Sequence, residues 1–415
     1  MLFYDFEVFK EDWLVVIIDT DAEIIHEIVN DRSELNRIYQ ANRNNIWIGY
    51  NSRRYDQYIL KAILSGFNPK EINDFMIVEG KGGWEFSSLL SKFPLINFDI
   101  MTSMHSLKQL EGFMGNNIKE TSVPFDIDRK LTDKEIQEVL KYCRHDVEQT
   151  MEVFLNRKEE FESHMGLIKA FNLPLSYMSK TKAQLSAIIL NAQKQQYDDE
   201  FEISIVKPLQ LSKYSYIKDH YLNPINLDYD KKLTTEIYGV KHILAFGGIH
   251  GALDNYIDDG FYVMSDIASM YPSLMILFNF LSRNVVEPKK FEEIRDTRIK
   301  YKRAKNPLQA PLKIVINGTY GASKDKNNAL YDPLMANNVC INGQLLIVDL
   351  LEKLEMAFGN DLMLIQSNTD GILVKLKDPS DYDKYVAVCK EWETRTGFEL
   401  EHDKYCKVYQ KDVNN

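Results

Sequence analysis

MLFYDFEVFKEDWLVVIID, residues 1–19, decides the fold of the N-terminal part. Apolar side chains recur at Leu2, Tyr4, Phe6 and Val8, so a strand turns them to one face and Asp5 and Glu7 to the other. A polar break precedes Trp13–Asp19, which gives strand, turn, strand. Working outward, IWIGYN (46–51) is another short strand, and a helix follows from Tyr55 to about Leu64. LTDKEIQEVLKYCRHDVEQTMEVFLNR (131–157) is a long amphipathic helix, opened by a capping box of Thr132 with Glu135. Strands and helices mixed in this way predict an α/β domain ending near residue 160.

Residues 161–240 are mixed and polar and define no element. AFGGIHGALDNY (245–256) reads as a glycine-marked junction, and FYVMSDIASMYP (261–272) as a strand running into a turn. Residues 289–325 form two helices joined by NPLQAP, and LMLIQSNTDGILVKL (362–376) is a β-hairpin around a tight turn.

The 415 residues suffice for two or three domains, and 45% hydrophobic with 27% charged residues is an ordinary globular balance. Met1 leads straight into a strand carrying Asp5 and Glu7, unlike a signal peptide. No apolar stretch approaches bilayer-spanning length. Cys143, Cys340, Cys389 and Cys406 do not pair at CxxC spacing, so neither a zinc site nor a disulfide framework is expected, and a reducing cytoplasm is the expected setting. The net charge of −11 speaks against nucleic-acid binding when taken alone. Carboxylates devoted to cations would weaken that objection. Local distribution matters more: Lys289, Lys290, Arg295, Arg298, Lys300, Lys302, Arg303 and Lys305 crowd into one segment, where a solvated helix face is the plain reading.

Each acidic motif of the first domain is unremarkable alone. A DxE is commonly structural, Asp56 after Asn51-Ser-Arg-Arg-Tyr55 suits a helix start, and Tyr142 with Asp146 is a one-turn surface pair. Together and in order, Asp5, Glu7, Asp56, Tyr142 and Asp146 resemble the DEDDy-type 3′–5′ exonucleases, whose motifs are DxE, Nx₃YD and Yx₃D. The resemblance implies an RNase H-like domain. It also implies that the four carboxylates hold two Mg²⁺ ions (or Mn²⁺) that clamp a phosphodiester and activate a water, which Tyr142 orients. Ser106-Leu107-Lys-Gln-Leu110 resembles the motif that holds the single-stranded primer end, with Asn51 and Tyr55 gripping the same strand.

The second half resembles the family B DNA polymerases, of the bacteriophage type. Asp266-Ile-Ala-Ser-Met-Tyr271-Pro-Ser273 matches DxxSLYPS, with Met270 for leucine. Lys313-Ile-Val-Ile-Asn317-Gly-Thr-Tyr320-Gly321 matches KxxxNSxYG, with Gly318 for serine. Asn368-Thr-Asp370 stands for YxDTDS, with Gln366 for tyrosine, Asn368 for the first aspartate and Gly371 for serine. Lys407-Val-Tyr409 matches KxY, which contacts the primer strand. The resemblance implies that Asp266 and Asp370 hold two further Mg²⁺ ions. Arg298, Lys302 and Lys313 are expected to surround the β- and γ-phosphates of a dNTP, with Asn317 beside them in the nucleotide site. Tyr271 is expected to exclude a ribose 2′-hydroxyl, and Tyr320 to pack under the incoming base pair. Core packing is the plain alternative for both tyrosines. Protein-primed relatives carry an insertion between Asp266 and Lys313 and another between Tyr320 and Asp370. Neither fits here, and their YxGG is replaced by Ala245-Phe246-Gly247-Gly248.

The fold class expected is multidomain, α/β with α+β: an exonuclease domain over 1–160, a connecting region 161–245, a palm with an antiparallel sheet over 246–285 and 322–415, and helical fingers over 286–321. Only Gln410–Asn415 follow Tyr409, so a thumb is expected to be absent or supplied by a missing C-terminal segment or a second polypeptide. Duplex DNA would then be held weakly. The expected activity is DNA polymerisation with proofreading on primer–template and single-stranded 3′ ends, in the cytoplasm of a bacterial host. The alternatives are an exonuclease with a weak polymerase half, which Asn368 suggests, and a non-catalytic DNA-binding scaffold, against which the full carboxylate set argues.

Overall fold

The computed structural model describes residues 1–21, 23–102 and 104–411, so Asp412–Asn415 of the C-terminal stretch lie outside the described residues. The chain divides into two compact units, Met1–Thr181 and Lys182–Asn415. The first unit ends later than residue 160 because the segment beyond packs back onto its own sheet. Phe161 meets Phe98 edge-on at 5.1 Å, and Ser179 Oγ accepts from the Asn97 amide at 3.1 Å.

In the first unit five strands lie in the order β3-β2-β1-β4-β5: β1 Leu2–Val8, β2 Trp13–Asp19, β3 Ile24–Val29, β4 Trp47–Gly49 and β5 Asn97–Asp99. β1, β2 and β3 pair antiparallel, while β4 runs parallel to β1 and β5 parallel to β4. The alternation in β1 does what it promised. Leu2, Tyr4, Phe6 and Val8 enter a core with Val15, Ile17, Leu35, Trp47 and Ile59. The opposite face is covered by the helix Asp133–Asn156, whose Phe154 meets Phe3 edge-on at 5.3 Å. The Thr132–Glu135 capping box fixes where that helix starts, and hence its register over β1.

The second unit holds a seven-stranded antiparallel sheet in the order β12-β9-β11-β10-β8-β7-β6: β6 Lys232–Ile237, β7 Val240–Ala245, β8 Gly248–Ala252, β9 Tyr256–Ile267, β10 Leu362–Ser367, β11 Gly371–Leu376 and β12 Leu400–Gln410. The expected glycine junction at 245–256 is instead the β7–β8 turn and strand β8, inside the sheet. Gly248, at φ +156°, lets this turn close onto Thr369, whose Oγ1 would lie 2.7 Å from any Cβ placed there. The helices Pro288–Arg303 and Gln309–Lys324 pack against each other, as the pattern over 289–325 predicts.

The helix Pro333–Phe358 corrects another expectation. Continued to Asp361, it is long and apolar enough to cross a bilayer, with a mean hydropathy of 1.4, but 94% of that window is buried inside the protein. It packs on β8, β10 and four α-helices. Its polar side chains clasp the irregular segment 200–214. Asn338 and Asn342 accept from the Ser204 and Val206 amides, each at 2.9 Å. Asp349 accepts from Gln210 at 2.6 Å, and Glu352 accepts from Ser212 and Tyr214 at 2.8 and 3.0 Å. Helix side chains thus replace a sheet partner for this backbone.

Candidate active sites

In the first unit, β1 presents Asp5 and Glu7 toward the Asp133–Asn156 helix, which carries Tyr142 and Asp146 one turn apart. Asp56 opens the helix Asp56–Ser65, and its Oδ1 accepts the Phe6 amide at 3.1 Å, which ties that helix start to β1. The turn leading to it begins at Asn51, at φ +56°, whose carbonyl accepts the Arg54 and Tyr55 amides.

The four carboxylates feel one another. Burial pushes the Asp5 carboxyl well above its ordinary range, and the charges of Asp56, Glu7 and Asp146 push it further. Burial, Asp146 and Asp56 do the same to Glu7. Burial lifts Asp56 to about 7 against the Phe6 hydrogen bond, and burial raises Asp146 against the opposing Lys108. Gathered carboxylates that cannot all ionise form a hard-oxygen donor set, which fits Mg²⁺ or Mn²⁺. The buried Cys143 thiol lies 3.8 Å from Asp5 Oδ2, but burial and the charges of Asp5 and Glu7 raise it, so it stays protonated and is a poor ligand. The Tyr142 hydroxyl is raised likewise by burial and by the charges of Asp146 and Glu7, which keeps it a donor.

Tyr55 stands close enough that Asp56, Glu7 and Asp5 all raise its phenol, after burial itself, while its hydroxyl donates to Asn73 at 2.7 Å. Ser106 caps the helix Leu107–Met114 through Gln109, and Leu107 is half-buried at its start. Sequence reasoning passed over Lys108 within that motif. Its Nζ donates to Asp146 Oδ1 at 2.5 Å and sits 4.7 Å from the centre of the Tyr142 ring. It also missed Asp99, which accepts the Arg53 and Met101 amides at 2.9 Å and adds to the pressure on Asp56.

In the second unit a cavity of about 750 Å³ is lined by Tyr271, Arg298, Lys302, Lys313, Asn317 and Asp370. Asp266 adjoins it on β9. The Ile267 amide donates to the Asp370 carbonyl at 2.7 Å, and the Asp266 carboxyl is raised by burial, then by the charges of Asp370, Asp403 and Glu401. Gly371 pairs in register with Asp266, and a Cβ there would run into the Asp266 carboxylate. This explains a glycine where the resembling motif has serine. Asn368 turns inward: its Oδ1 accepts the Asp370 and Gly371 amides at 3.2 and 2.7 Å.

Arg298 Nη1 donates to Ser269 Oγ at 3.1 Å, and Ser269 takes the left-handed conformation, φ 50°, between β9 and the helix Met270–Leu277. Burial lowers the Arg298 guanidinium from its usual value. Lys302 pairs with Glu401 at 3.3 Å. Tyr320 lies off the cavity wall, its ring 4.3 Å from that of Tyr271. Lys407 and Tyr409 project from the far part of β12, opposite Asp259 and Ile257, and Lys407 pairs with Asp259 at 3.3 Å. At about 3.3 Å per residue they stand some 20 Å or more along the strand from Asp266. Glu399 and Glu401 also line the cavity and were missed. The alternating acids Glu399, Glu401 and Asp403 ahead of Lys407 were the signal. Half of the basic segment, Arg295, Arg298, Lys302 and Arg303, faces this space, so the solvated-face reading holds for the remainder only.

No model of a known family matches the chain, and no curated protein matches it. Among solved structures, a match extends to the family B DNA polymerase of the hyperthermophilic archaeon Pyrobaculum calidifontis, with a TM-score of 0.49 and 14% identity, over 99% of this chain and 57% of that one. The chain spans little more than half the length of that polymerase.

Proposed function

We propose that the chain is a template-directed DNA polymerase of the family B kind with a 3′–5′ exonuclease, each centre working with two divalent ions. The observation that carries this reading is the cavity of the second unit, where Asp370, with Asp266 adjoining, shares one space with Arg298, Lys302 and Lys313. That combination suits a cation-bound polyphosphate. The first unit supports the nuclease half, because its strand order and four converging carboxylates suit an RNase H-like exonuclease. On this reading the antiparallel sheet of the second unit is the palm and the helices over 288–324 are the fingers.

Asp266 and Asp370 hold the ions of the polymerase centre, and Asp5, Glu7, Asp56 and Asp146 those of the exonuclease. Such ions, when bound, acidify a hydroxyl or water and neutralise phosphate oxygens. The chain's own residues do the remainder. Arg298, steadied by Ser269, joins Lys302 and Lys313 on the β- and γ-phosphates, with Asn317 one turn from Lys313. Tyr271, backed by Tyr320, closes the space a 2′-hydroxyl would need. In the exonuclease, the protonated Tyr142 hydroxyl donates to the attacking water, while Asn51, Tyr55, Ser106 and Leu107 grip the strand end. Lys407 and Tyr409 contact the primer strand behind the site.

One observation favours a second reading, an exonuclease with a weak polymerase half: Asn368 brings no charge, and its carbonyl is spent on two backbone amides. A primer–template incubated with Mg²⁺ and dNTPs separates the two. Extension that is lost in Asp266→Ala and kept in Asp5→Ala with Glu7→Ala, with degradation behaving the opposite way, supports the polymerase. Degradation without any extension by the unaltered chain would leave only the second reading.

A further inference from the structure

Lys108 has one partner more than a simple ion pair requires. Its Nζ donates to Asp146 Oδ1 at 2.5 Å and lies 3.5 Å from Glu111 Oε2. Glu111 is fully buried. Its Oε1 meets His145 Nε2 at 2.5 Å, while its Oε2 has no hydrogen-bond partner among the described residues. A buried carboxylate oxygen left without a hydrogen bond is costly unless another state of the site uses it. The carboxylates Asp5, Glu7, Asp56 and Asp146, for their part, are neutralised by protons or by a nearby positive charge when no ion is bound.

We propose that Lys108 is an internal counter-ion. It neutralises Asp146 while the cluster is metal-free, and it shifts onto Glu111 Oε2 when a divalent ion takes Asp146. This rests on reading the cluster as a metal site. The shift is small, because closing 3.5 Å to an ordinary hydrogen bond needs a movement of roughly 1 Å. His145 holds Glu111 by Oε1 and so keeps Oε2 turned toward the lysine. Glu111 and His145 are therefore positioning residues. If Lys108 instead only braced Asp146, its loss would loosen Asp146 and weaken ion binding.

The two roles differ in sign, and Mn²⁺ titration of the full chain by calorimetry reads the difference. An Asp266→Ala background reduces binding at the second site. Lys108→Met removes a competing charge, so Mn²⁺ should bind about tenfold tighter. Glu111→Gln removes the resting place, so Mn²⁺ should bind about tenfold weaker. Glu111→Gln should have no effect once Lys108→Met is present. Weaker or unchanged binding in Lys108→Met, or an equal effect of Glu111→Gln in both backgrounds, would overturn the proposal. Should Lys108→Met fail to fold, Lys108→Arg decides. A guanidinium fork held by both carboxylates should weaken Mn²⁺ binding, and unaltered affinity would overturn the proposal. Mn²⁺ binding that is indifferent to Asp5→Ala would defeat the metal-site reading itself.

Discussion

Asp56→Asn should make the metal-free protein more stable at pH 8 while abolishing its response to divalent ions. The Asp56 carboxyl stands at about 7 in the folded protein against an ordinary 3.8. Between those values the folded chain keeps a proton that the unfolded chain has released. Stability therefore falls as pH rises through this window, and the loss is complete above about 7. Three pH units at about 1.36 kcal/mol each put the penalty on the order of 4 kcal/mol. Asparagine cannot ionise and can still accept the Phe6 amide, so the variant removes this slope. It also relieves Asp5 and Glu7, which Asp56 pushes upward. The assay is urea unfolding in chelator at pH 5 and pH 8, followed by tryptophan fluorescence. Three of the four tryptophans, Trp13, Trp47 and Trp84, belong to the first unit, so the signal reports mainly on it. Added Mg²⁺ should restore the unaltered chain at pH 8 and leave the variant unchanged. Parallel pH dependence in the two proteins would refute the electrostatic reasoning.

Three further changes probe other parts of the chain. Gly371→Ala drives a methyl into the Asp266 carboxylate, so primer extension should fall about 100-fold while degradation is unchanged. Gel assays of both activities would show it. Tyr271→Ala should raise ribonucleotide use relative to deoxynucleotides by at least about tenfold in single-turnover competition, and an unchanged ratio would assign the exclusion elsewhere. Asn342→Leu leaves the Val206 amide and the Ser204 carbonyl unpaired, at a cost of about 3 kcal/mol in denaturant unfolding.

What could be read in advance was local. The β1–β2 hairpin, the capped helix at 133–156 and the hairpin over 362–376 each declare themselves within some twenty-five residues, by alternation, helical period and turn chemistry. What escaped depends on distant partners. Lys108 is one lysine among many until the helix Leu107–Met114 brings it to Asp146, 38 positions away. Gly247-Gly248 looks like a junction, because a glycine needed for close approach to Thr369 is spelled the same way as one in a linker. The helix Pro333–Phe358 hid its length because Asn337, Asn338, Asn342 and Asp349 punctuate the apolar run like solvent-facing residues, although all four are buried. Asn368 stands where the resembling motif has an aspartate, and only the turn geometry shows that its side-chain oxygen is in use by the backbone.

The clasp between segment 200–214 and that helix sets a timetable for biosynthesis. The bonded pairs lie 134 to 140 positions apart, so the segment leaves the ribosome well before its receptor exists. At about 5–20 residues per second the wait is on the order of ten seconds. Throughout it, the amides of Ser204, Val206, Gln210, Ser212 and Tyr214 have only water to bond. Closing so long a loop then costs roughly 4 kcal/mol of chain entropy before the first of these bonds forms. The segment should therefore be among the last parts of the chain to resist protease during synthesis, and a stalled nascent chain ending before residue 333 should be cut there first.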